Sequence, residues 1–187
     1  DKYPRNGGTT SLGDWMIAPS KLPNGIRPLI NLAHNNGMKF GIWIEPEMVN
    51  TTSELYEKHP DWVLRHPDFE PTYGRGKTQL LLDLTNPKVQ DHVFKVVDDL
   101  MTQYPDIYYI KWDNNMSMSN THSQYLPAEL QSNLYVDFTL ALEKILKRIR
   151  AKYPDVVIQL CASGGGRLNY GFMPYFQEMW TSDQTDA

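Results

Sequence analysis

The sequence predicts an α/β fold on a parallel sheet: an internal piece of a (β/α)8 TIM barrel, present as a partial barrel of about five β/α units. Three observations predict it. Short apolar runs alternate with longer segments of helical periodicity, the pattern of strand–helix–strand connections. The apolar runs are nearly continuous, as in strands buried on both faces. Each run also ends in a polar residue: Glu45, Asp83, Asp113, Cys161 or Asp183. Barrels and open α/β sheets keep their chemistry at these carboxyl ends. Five units cannot close a barrel of eight strands. The chain therefore reads as roughly the second to sixth strands, with the first and last absent.

The elements follow in order. Leu29, Ile30, Leu32 and Ala33 form the apolar stripe of a helix, and Gly37 suits its C-terminal cap. The first strand covers residues 39–45 and the second 79–83. The next helix opens at Asn86-Pro87, a capping residue followed by proline in the first turn. Val89, Val93, Val96, Val97 and Leu100 then recur at helical spacing. The third strand covers 107–113. The longest helix runs from about 130 to 153, with Leu134, Phe138, Ala141, Leu142, Ile145 and Ile149 inward. Its Lys144, Lys147, Arg148, Arg150 and Lys152 read as a solvated face. Strands four and five cover 156–161 and 179–183. With no linker, repeat or low-complexity stretch, residues 1–187 read as one internal segment of a single domain. Starting at Asp1 without Met and stopping just past Asp183, it is expected to belong to a longer protein.

Composition narrows the function. A net charge of −4 with no basic run removes the electrostatic footprint of a nucleic-acid binder. It suits a neutral ligand such as a sugar. A single cysteine excludes an internal disulfide and a paired-cysteine zinc site. No apolar stretch reaches the ~18 residues of a membrane span. The five histidines lack metal-ligand spacing, so no metal is expected. Most of the aromatic side chains are expected in the core, with a few left for stacking on sugar rings.

Two strand ends carry the chemistry. Ile110-Lys111-Trp112-Asp113 and Met179-Trp180-Thr181-Ser182-Asp183 each deliver an aspartate beside an indole. Two carboxylates on separate strands are what a glycosidase places on either side of a glycosidic bond. Lys111 leaves the same face of its strand as Asp113, where its charge would favour the ionised acid, while Trp112 alternates to the other face as packing. A Lys–Asp ion pair in a barrel interior is the structural reading of the same residues. Asp183 is expected to be partly buried and to keep a proton available, with Asp186 as competitor. Cys161 to Arg167 form a glycine-rich turn whose backbone could approach a ligand. It lacks the phosphate-loop and dinucleotide patterns, and Arg167 reads as a brace paired to an acid. Glu45 and Glu47 flank Pro46 too closely to straddle a bond and read as structural support, while Trp43 is a stacking wall.

The chain resembles glycoside hydrolase family 36, mainly retaining α-galactosidases. The likeness is carried by Leu12-Gly13-Asp14-Trp15, Leu22 to Ile26, Gly37 to Val49, His59-Pro60-Asp61-Trp62, Leu82-Asp83-Leu84, Lys111-Trp112-Asp113, Cys161 to Arg167 and Trp180 to Ala187. It implies hydrolysis of terminal α-D-galactosyl residues from oligosaccharides by double displacement, without a cofactor. Asp113 would be the nucleophile and Asp183 the general acid/base. Trp43, Lys111, Asn115, Cys161 and Gly164 match positions lining the galactose pocket, with Lys77 or Arg75 at a pocket cation. The family's flanking β domains, its first barrel strand and its usual homo-oligomer lie outside this chain. Met116 stands where the family commonly has arginine, and Cys161-Ala162-Ser163-Gly164-Gly165-Gly166-Arg167 departs from its usual Cys-Ser-Gly-Gly-Gly-Gly-Arg. These departures keep α-N-acetylgalactosaminidase or galactosyl-transfer activity, or a non-catalytic carbohydrate-binding fragment, as alternatives. The isolated segment is expected to be inactive.

Overall fold

A computed structural model of the chain describes residues 10–184. In chain order the elements are α1 (Arg27–Asn35), β1 (Phe40–Ile44), β2 (Met48–Asn50), α2 (Glu54–Lys58), β3 (Gln79–Leu81), α3 (Pro87–Gln103), β4 (Ile107–Trp112), α4 (Leu134–Lys152), β5 (Val157–Leu160) and β6 (Glu178–Met179). Short 3-10 turns lie at Pro60–Trp62, Arg75–Lys77 and Ala128–Asn133. The sheet runs β1-β4-β5-β6 with every neighbour parallel, so the α/β class and the parallel sheet hold.

The expected five strands become four. β3 leaves the parallel sheet and pairs antiparallel with β2, Met48 opposite Leu81 and Asn50 opposite Gln79. The cause lies just past β1. Pro46 has no N–H to continue the ladder, and the chain turns there, with the Met48 N–H donating to the Glu45 carbonyl. The excursion that follows returns through β3, and β4 takes the place beside β1. A short buried apolar run reads alike whichever sheet it joins. Asp83 therefore does not end a parallel strand. It is fully buried and accepts from the backbone and hydroxyl of Thr85 and the hydroxyl of Ser123, bracing a loop.

The helices form for the expected local reasons. Gly37, at φ 71°, closes α1 in the left-handed region that glycine adopts without strain. Asn86 caps α3 by accepting from the Lys88 N–H. α4 starts at Leu134 rather than 130, because 128–133 winds as a 3-10 turn. Its six predicted inward residues are all buried. On α1 only Ile30 is buried, while Leu29 and Leu32 stay exposed. The basic face of α4 is only partly solvated. Arg148 pairs with Asp91 and Lys152 with Asp98 of α3, and half-buried Arg150 donates to the Tyr153 and Val156 carbonyls.

Burial on both sheet faces does not hold either. Ile44, Ile110, Trp112, Ile158 and Leu160 are buried in the core with residues of α3 and α4. The opposite face carries Gly41 and Trp43 of β1, Tyr109 and Lys111 of β4, and Val157 and Gln159 of β5, none of them buried. Within residues 10–184 no second layer covers that side. No helix of the described residues is long and apolar enough to cross a membrane.

Candidate active site

The open face organises the predicted site. Strand register sets Trp43 beside Lys111, Lys111 beside Gln159 and Gln159 beside Glu178. One step further, the backbone continues the ladder: Asp113 N–H donates to Ile44, Cys161 N–H to Trp112, and Trp180 N–H to Leu160. Glu45, Asp113, Cys161 and Trp180 are therefore level at the carboxyl ends of four neighbouring strands.

Asp113 is the centre of this row. Its carboxylate accepts from the Trp43 indole N–H at 2.9 Å and from the Asn114 backbone N–H at 2.9 Å. Burial pushes its pKa up. The bonds from Trp43, Asn115, Cys161 and the Asn114 N–H outweigh that and hold it below the ordinary carboxylate value. It is a buried acid kept ionised by hydrogen bonds. The Lys111 ammonium lies instead over the Trp180 ring, 4.3 Å from its centroid. A Lys111–Asp113 ion pair is thus absent among the described residues. Burial pushes the Cys161 thiol up against the pull of the Gly164 N–H, and Asp113 beside it adds to the shift. The sulfur therefore stays an S–H donor. Asn115 accepts from the Ser163 hydroxyl at 3.1 Å, which leaves its NH2 group to Asp113 and Glu45.

Glu45 lies closer to Asp113 than its sequence position suggested. It is buried and accepts from the Asn115 N–H at 2.6 Å and the Gln79 side chain at 3.2 Å. Burial raises its pKa to about 7; the Asn115 N–H opposes this, Asp113 adds to it, and Arg75 draws it down. Between about 4.5 and about 7 the folded chain holds a proton that the unfolded chain has lost, so stability falls as pH rises through that window. A shift of this size corresponds to roughly 3 kcal/mol. Denaturant unfolding of the full-length protein from pH 4 to 8 is expected to show this fall, and Glu45→Gln to flatten it. An unchanged slope in the variant would remove Glu45 as its source.

Glu47 supports the site from behind. It is fully buried and accepts from the Trp112 indole at 2.8 Å, the Asn114 amide at 3.2 Å and the Arg167 guanidinium at 2.7 and 2.9 Å. Structural support thus holds for Glu47, and Arg167 is the expected brace. The glycine-rich turn spends much of its backbone internally or on the segment just past β6: the Gly165 N–H donates to the Thr181 carbonyl and the Ala162 N–H to the Gly164 carbonyl. Gly164, at φ 86°, lies against residues 181–183, and a methyl there would come within 3.1 Å of the Ser182 Cα.

Asp183 is exposed, not partly buried as expected. It lies beyond the two-residue strand β6, which is paired on one side only, so no neighbouring strand covers it. The Trp180 indole N–H holds its Oδ1 at 2.9 Å. Asp186 falls outside the described residues. Trp43 is partly exposed, 6.0 Å centroid to centroid from Trp15. Lys77 ends the Arg75–Lys77 turn with its side chain exposed. Of these two cations it is the Arg75 charge that acts on Glu45. Met116 is buried, its sulfur close to Gly74, so it packs where an arginine would need partners. A groove of about 570 Å³, lined in part by Asn115, Met116, Ser163 and Arg167, opens alongside; neither aspartate lines it. Sequence reasoning missed the roles of Glu45, Gln79 and Trp180. The only signals were that Glu45 ends its apolar run and that Trp180 is the indole near Asp183. Among the described residues no three His, Cys, Asp or Glu side chains form a metal-sized group.

A family model described as Melibiase matches residues 3–187. The chain is 43% identical over 182 residues to alpha-galactosidase 2 of Pediococcus pentosaceus, covering 97% of this chain and 25% of that protein. The crystal structure of an alpha-galactosidase from Lactobacillus brevis superposes with a TM-score of 0.92 at 40% identity, over 99% of this chain and 25% of that one. A variant of the GH36 alpha-galactosidase AgaA from Geobacillus stearothermophilus, solved in complex with raffinose, gives 0.92 at 36% identity, over 99% and 26%. The chain thus spans about a quarter of the relatives it matches.

Proposed function

The chain belongs to the Melibiase family, and from that premise we propose that it carries the catalytic pair of a retaining α-galactosidase. The observation that carries this reading is Asp113: a strand-end carboxylate, buried yet held ionised by four hydrogen-bond donors. An attacking carboxylate needs that state. Asp183, two strands away across β5, is the general acid/base.

The Asp113 carboxylate attacks the anomeric carbon as the bond to the leaving oxygen breaks. The electron pair of that bond goes to the oxygen, which takes the proton of Asp183. Asp183 then removes a proton from water, whose oxygen attacks the same carbon and frees Asp113. Retention places the two carboxyl groups about 5–5.5 Å apart. Two strand spacings amount to roughly 9–10 Å, so both side chains must lean inward over the end of β5. Lys111, Asn115, Trp43, Cys161, Gly164 and Lys77 are the candidate galactose contacts.

The uncovered sheet face supports a larger architecture. A polar and aromatic row of Trp43, Lys111 and Gln159 suits the interior of a closed (β/α)8 barrel, of which β1, β4, β5 and β6 are four strands. The chain is then an internal segment of one catalytic domain, within a full-length protein that assembles as a homo-oligomer. Galactose-containing oligosaccharides are the proposed substrates, as in the raffinose complex of the AgaA relative.

The test is product stereochemistry in the full-length protein. Proton NMR of 4-nitrophenyl α-galactoside hydrolysis is expected to show α-galactose first, with the matched N-acetylgalactosaminide cleaved far more slowly. First-formed β-galactose would exclude double displacement. Preference for the N-acetylated substrate would move the substrate assignment.

A further inference from the structure

Both aspartates accept a hydrogen bond from an indole. Trp43 donates to Asp113, and Trp180 donates to Asp183, each at 2.9 Å. The two bonds are not equivalent. Asp113 has three other donors and is packed in the sheet end. Asp183 is exposed and lies past the last ladder pair. Among the described side chains, the Trp180 indole is what fixes the direction of its carboxyl group.

Trp180 is itself held firmly. Its backbone N–H bonds to Leu160 at 2.8 Å, which places it level with Cys161 and Asp113. Lys111 sets its ammonium over the ring face, an attraction that favours one ring orientation. The next residue, Thr181, is pinned by the Gly165 N–H. The chain then turns, and Asp183 comes back to the indole edge.

We propose that Trp180 is the positioning residue of the acid/base: its N–H occupies Oδ1 of Asp183 and leaves Oδ2 to carry the transferred proton, while Lys111 fixes the plane of the ring. This rests on Asp183 being the acid/base. With Oδ1 engaged, the acidic proton resides on the one oxygen free to face the leaving group. When the proton departs, the charge formed on the carboxylate is already met by a donor, with no reorganisation during the step. Lys111 thereby acts on the acid through a ring, in addition to any contact with the sugar.

The experiment compares leaving groups in the full-length protein. Trp180→Phe keeps a ring for Lys111 and removes the N–H. For raffinose, whose leaving oxygen needs a proton, kcat/KM is expected to fall about tenfold or more, the worth of a bond to a charged group. For 2,4-dinitrophenyl α-galactoside, whose leaving group departs without a proton, the change is expected within about twofold. Equal losses on both substrates, or no loss on either, would overturn the proposal. If Trp180→Phe melts early, β-(3-benzothienyl)alanine at position 180 keeps the shape and exchanges N–H for sulfur, with the same expectations. Asp183→Ala runs in parallel. If it shows no dependence on leaving group, the acid/base assignment itself fails, whatever Trp180 does.

Discussion

Asp113→Gly in the full-length protein is expected to lower kcat on aryl α-galactosides by roughly 10⁴-fold or more, the scale on which loss of a covalent nucleophile is felt. Its surroundings explain why no neighbour replaces it. The Cys161 thiol beside it is pushed up by burial and stays protonated. Glu45 is level with it but is turned to the Asn115 N–H and the Gln79 amide. Glycine also opens space for an external anion, so azide is expected to restore part of the turnover of a dinitrophenyl galactoside. Attack from the vacated side would give β-galactosyl azide. With Asp183→Ala the covalent intermediate still forms, and azide is expected to give the α anomer instead. NMR of the azide products therefore separates the two roles. Unchanged kcat in Asp113→Gly, or the same anomer from both variants, would end the assignment.

The second large effect is on stability. Glu47→Ala is expected to cost about 3–5 kcal/mol in denaturant unfolding, because removing one member of a buried pair strands the other. Three donors lose their acceptor at once: the Trp112 indole N–H, the Asn114 amide and the Arg167 guanidinium. Arg167 is already short of acceptors: among the described residues two of its buried nitrogens have no partner. Breaking the pair also loosens the turn from Cys161 to Arg167 relative to β4. Arg148→Ala removes an exposed bridge between α3 and α4 and is expected to cost below about 1 kcal/mol. Similar losses from the two variants would show that Glu47 is not the anchor its contacts describe.

Much of the framework was legible because it depends on neighbours in sequence. The cap at Asn86, the stop at Gly37 and the inward face of α4 follow from local geometry and helical period. Asp113 and Asp183 stood out as candidates because each closes a predicted strand; Asp113 does follow β4 directly, whereas Asp183 lies four residues past β6. The exposure of Asp183 was not legible, because burial depends on which strand lies alongside. Nor was the division of labour between Glu45 and Glu47. Two residues apart on one segment, they meet different partners: Glu45 faces Asn115 and Gln79, and Glu47 faces Trp112, Asn114 and Arg167.

Propensity and periodicity act over a few residues, and they account for the α/β class, the helix faces and the polar strand ends. Long-range packing sends β3 out of the sheet to β2 and sets β1 against β4. It alone put Lys111 over Trp180 rather than on Asp113, and the indole of Trp180 on Asp183. Those pairings close loops of tens of residues. They are chosen by which surfaces fit and which donors find acceptors, a competition among distant segments that no local pattern records.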